Sequence, residues 1–73
     1  MSELQARLLA AHDRGDHSAL VGLYRAAAEA AEGAGNAGAV GFFLTHAYIF
    51  ALETNHADAP ALRARLVAMG RES

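Results

Sequence analysis

The sequence predicts an all-α protein: four antiparallel helices arranged as two stacked hairpins or a small helical bundle. Three observations carry that reading. Nineteen of the 73 residues are alanine and only six are β-branched, which favours helix and disfavours sheet. Apolar residues recur at helical spacing in four separate stretches. Glycine and asparagine punctuate the gaps between them. The chain is short enough for one domain, spanning 1–73.

The first helix is expected from Glu3 to about Arg14. Ser2 is its N-cap and Gln5 occupies the N3 position of a capping box. Leu4, Leu8 and Ala11 form its stripe, with Leu9 and His12 beside it. Gly15 ends it in the left-handed conformation. The second helix runs from about His17 to Glu32, capped by Asp16 or Ser18. Its stripe is Leu20, Leu23, Tyr24, Ala27, Ala28 and Ala31. The alanine-rich half lets a neighbouring helix approach closely. Gly33-Ala34-Gly35-Asn36 makes the next turn.

The third helix, from about Ala37 to Thr54, is unusual. No charged residue occurs between Ala37 and Leu52, and apolar side chains surround most of it. Such a helix is buried on several sides. Asn55 stops it. The fourth helix runs from about Ala59 to Arg71, with Asp58 as N-cap and Pro60 tolerated in the first turn. Leu62, Leu66 and Met69 share one face, and Val67 is adjacent.

The segment from Gly15-Asp16-His17 through Leu23-Tyr24-Arg25-Ala26-Ala27 resembles the second half of a tetratricopeptide unit, with Tyr24 and Ala27 at matching positions. The stretch around Gly33–Ala39, with Leu44 and Tyr48, is similar to Sel1-like repeats. The resemblance spans roughly residues 8 to 62. Gly15 and Gly35 stand 20 apart, closer than the family's unit of about 34 residues. What the resemblance implies is stacked hairpins used for protein–protein contact, with no catalytic residues to carry over.

Composition narrows the function. Without cysteine there is no disulfide framework, thiolate zinc site or iron–sulfur cluster. Six scattered arginines against eight acids, a net charge of −2, make no basic face for nucleic acid. No run reaches the roughly 20 apolar residues of a membrane span, and the opening Met-Ser-Glu-Leu-Gln lacks the pattern of a signal peptide. The expectation is a soluble, cytoplasmic protein. No glycine-rich phosphate loop follows a strand, and no nucleophile–base set has a persuasive context. Glu53 near His46 and Tyr48 reads as a surface residue, not an acid–base partner. The expectation is therefore no enzyme and no cofactor.

Two constellations remain. Three phenylalanines, two tyrosines, Ile49 and Leu52 are more apolar bulk than the second and fourth helices readily cover. Phe42, Phe43, Tyr48, Ile49 and Phe50 are the expected anchors of an interface, most simply a two-fold homodimer through helix three, with a central helix covered within one chain as the alternative. His46, on the same helix, reads first as a neutral, hydrogen-bonded core residue, with pairing across a dimer axis or contact with a ligand as the alternatives. Were it buried, charging it in an apolar site would make the assembly acid-sensitive. The second constellation follows from topology: antiparallel hairpins bring the first and third turns to one end. That end gathers His12, Asp13, Asp16, His17, His56 and Asp58, a conceivable divalent-metal set. Their spacing is poor for ligation, and Asp16 and Asp58 have ready roles as caps. The leading reading is a small non-catalytic interaction module with its partner site between helices one and three. A metal- or small-ligand-binding helical protein is the alternative.

Overall fold

A computed structural model describes residues 2–70. The chain forms four helices: α1 (Glu3–Asp13), α2 (His17–Gly33), α3 (Ala37–Glu53) and α4 (Ala59–Ala68). No strand occurs among the described residues. The expected bounds hold to within a residue, except that α4 stops at Ala68. Arg71, expected near its end, lies outside the described residues.

The three turns repeat one hydrogen-bonding pattern at an interval of 20 residues. Gly15 and Gly35 take positive φ, 66° and 74°, and Asn55 follows at 52°. Each places a left-handed residue after the helix, the conformation that costs glycine nothing and asparagine little. The next amide then reaches back to the helix: Asp16 N–H to the Ala11 carbonyl, Asn36 to Ala31, and His56 to Ala51, at 2.8–2.9 Å. Ala11, Ala31 and Ala51 are all buried.

Side-chain caps follow one pattern at three of the four helix starts. Ser2 Oγ accepts from Gln5 N–H, Asp16 Oδ1 from Ala19 N–H, and Asn36 Oδ1 from Ala39 N–H. The fourth position breaks it. Asp58 caps nothing with its side chain. Its carboxylate pairs instead with the Arg25 guanidinium, tying α4 to α2 across 33 residues of sequence. His56 Nδ1 accepts the Asp58 amide at 3.0 Å. Asp58 thus stands at the expected N-cap position, but its carboxylate is taken by a long-range ion pair and makes no cap hydrogen bond.

Packing is sequential. The backbone of α2 lies against α1 and α3, and that of α4 against α3. The α2–α3 pair is the most extensive. There Ala28, Ala31, Ala47 and Ala51 are buried beside Val21, Val40 and Leu44, with Leu62 and Leu66 from α4 completing the cluster. Alanine faces allow the close approach expected for α2. Val21, absent from the predicted stripe, is fully buried, because α2 is covered on two sides and not one.

The result is a thin two-layer slab. Its Cα atoms span 32 × 29 × 13 Å. One layer holds α1 and α3, the other α2 and α4. Six of the twelve buried apolar residues are alanine. The core is therefore thin in bulk as well as in dimension.

Candidate interaction groove

No Cα of α1 comes within 8 Å of a Cα of α3. The two helices stand side by side with α2 beneath, leaving a groove of about 690 Å³. Its floor is the alanine half of α2 and its C-cap: Ala27, Ala30, Ala31 and Ala34. Leu4, Leu8 and Leu9 form the α1 wall, and Ala39, Phe42 and Phe43 the α3 wall. Among the described residues, no aspartate, glutamate or arginine lines it. The floor follows from the alanine run in the sequence, and the wall from the charge-free run of α3.

The opposite layer carries the corresponding space between α2 and α4, and it is different. Leu62 and Leu66 fill it. The Arg25–Asp58 pair and the 3.8 Å Arg65–Glu32 contact lie across its rims. What remains is a cleft of about 380 Å³ near Val40 and Met69. One face of the slab is thus crossed by ion pairs, and the other is open, its groove lined by apolar side chains together with Ser2, Gln5, His12 and Asn36.

One end of the groove is closed by aromatic rings. Tyr24 stacks on Phe50 with centroids 5.9 Å apart and planes 13° from parallel. Its hydroxyl lies 2.8 Å from His12 Nε2. Phe43 and His46 flank it at 6.2 and 5.3 Å, and His17 tilts against Phe50 at 5.0 Å. Burial pushes the Tyr24 phenol above its ordinary value of 10.0, because the apolar surroundings disfavour the phenolate.

The six expected interface residues divide sharply. Phe42 and Ile49 are 54% and 47% exposed. They stand two helical turns apart on the outer face of α3. Phe43, Tyr48 and Phe50 are half-buried and packed on the core cluster. Their exposure is set by the rotation of α3, which α2 and α4 fix together. His46 is half-buried, not a core residue. Its Nδ1 donates to the Phe42 carbonyl at 2.9 Å, and its ring lies 4.4 Å from that of Phe42. Leu52, counted in the apolar excess of helix three but not among its anchors, is 57% exposed, and sequence reasoning missed Leu9, 56% exposed on the opposite rim. Leu9 lies one position off the α1 stripe, which was the available signal.

The histidine-rich end forms as the topology predicted, but its side chains disperse. His12 turns to Tyr24. His17 Nδ1 meets Glu53 at 3.4 Å, which also takes Glu53 away from His46 and Tyr48. His56 accepts a backbone amide, and Asp16 caps α2. Among the described residues, no three histidine, aspartate or glutamate side chains converge as a metal site would require. Nor is any helix there long and apolar enough to cross a membrane. Compared with known proteins, the chain matches no family model, no curated protein and no solved structure.

Proposed function

We propose that the chain is a small, non-catalytic protein–protein interaction module whose binding surface is the open α1–α3 face. One observation carries this reading: an uncharged groove with an alanine floor, bordered by Leu9 on one rim and Phe42 on the other, both more than half exposed. Contiguous apolar surface of this kind is costly to leave in water and marks an interface. The alanine floor suits an incoming helix, whose side chains would fill the groove at i, i+3, i+4 and i+7. The tetratricopeptide-like reading belongs to the same proposal. Stacked antiparallel hairpins with a groove between alternate helices support it.

The test is a photoreactive benzoylphenylalanine placed at position 42 or, as a control, at Ala26 on the outer face of α2. Irradiation in cells should link position 42, and not position 26, to protein. Equal labelling from both positions, or none from either, would refute the reading.

A further inference from the structure

We propose that the occupant of the groove is a second copy of this chain, each copy seating the outer ridge of α3 in the α1–α3 groove of its mate. The inference rests on the interaction-module reading and names the partner.

The face carries its own complement. Phe42 and Ile49 form a ridge, and the groove runs immediately beside it on the α1 side. A surface bearing knob and hole side by side can pair with itself through a two-fold axis, because each contact then occurs twice. The direction of the axis follows. An axis perpendicular to α3 within the face would stack ridge on ridge and groove on groove, leaving the grooves empty. An axis parallel to α3 places each ridge over the other copy's groove. Phe42 then enters the groove between Leu9 and Phe42 of its mate.

Electrostatics permit the pairing. α3 has no charge before Glu53, and the groove lining has none. Like charges therefore do not oppose one another when identical surfaces meet. The dimensions match as well. The broad face of the slab, 32 × 29 Å between its Cα extremes, is large enough to hold the ~800 Å² per partner of a standard interface. A slab 13 Å thick leaves Leu9, Phe42 and Ile49 outside its own core. Two slabs face to face bury all three.

Sedimentation equilibrium of the purified full chain tests the proposal, with circular dichroism confirming that each variant is helical. The wild type should sediment at twice the 7.6 kDa chain mass. Phe42→Glu and Leu9→Glu should each weaken association at least about a hundredfold. Val67→Glu, at an exposed position on α4, should leave it unchanged. A helical wild type that stays monomeric to millimolar concentration overturns the proposal. So does a Leu9→Glu variant that dimerises normally, since α1 would then take no part. A monomer that still photocrosslinks to other proteins from position 42 refutes the second copy while leaving the interaction-module reading standing.

Discussion

Leu44 and Leu52 lie on the same helix and carry the same side chain, yet the structure assigns them opposite weights. Leu44 is fully buried in the α2–α3–α4 cluster, whereas Leu52 is mostly exposed. Truncating Leu44 to alanine removes buried methylene groups and leaves a cavity. Leucine-to-alanine changes of this kind cost about 2–5 kcal/mol. A chain of this length has a total stability of about 4–11 kcal/mol. Leu44→Ala should therefore remove a large share of it, lowering Tm by roughly 8–40 °C at about 4–8 °C per kcal/mol. Leu52→Ala gives up little buried surface and should cost about 0.5 kcal/mol or less. Thermal and urea melts followed at 222 nm, at a concentration where Phe42→Glu is monomeric and in that background, isolate the effect within one chain. Equal losses for the two variants, or a larger loss for Leu52, would show that the rotation of α3 is wrong. The assignment of its outer ridge would fall with it.

Other perturbations probe the turns, caps and aromatic end. Gly35→Ala forces an L-residue to φ 74° and should cost about 1–2 kcal/mol. Gly22→Ala, in the interior of α2 with open space around it, should instead stabilise by about 0.5–1 kcal/mol; paired urea melts that showed the same sign for both would contradict the turn geometry. Asp16→Ala and Asn36→Ala should each lose about 1 kcal/mol of cap stabilisation, whereas Asp58→Ala should lose less than about 1 kcal/mol because its arginine pair is partly solvated. Tyr24 has a folded-state pKa raised above its unfolded value of 10.0, so folding favours the protonated phenol. That stability is intact below pH 10 and is lost as pH rises through the folded value. Absorbance titration at 295 nm should show a late phenolate step that Tyr24→Phe removes. A Tyr24 that ionises at or below the ordinary phenol value would contradict its desolvation.

Much of this architecture is legible in the residue order. Ser2, Asp16 and Gly15 announce helix ends by local chemistry, and the charge-free run of α3 marks a helix with too many apolar faces. The groove between α1 and α3 follows from antiparallel connectivity alone. The 20-residue recurrence was equally visible in Ala11, Ala31 and Ala51, but its third turn carries Asn55 where the others carry glycine. Other features depend on several elements at once. Val21 is buried because α2 is flanked on both sides, and Phe43 differs from Phe42 only through the rotation of α3. Asp58 looks like a cap until Arg25, distant in sequence, is brought beside it. The histidines share an end of the fold, but rings and backbone amides claim them separately.

The α1–α3 face is where two copies of this chain should meet. A dilution series of amide correlation spectra on the purified, nitrogen-15-labelled protein tests that residue by residue. Concentration-dependent shifts should gather at Leu8, Leu9, Ala39, Phe42, His46 and Ile49. They should be absent from Ala26, Glu29, Arg63 and Val67 on the opposite layer. Shifts confined to that opposite layer, or spectra that do not change from micromolar to millimolar concentration, would contradict a self-complementary α1–α3 face.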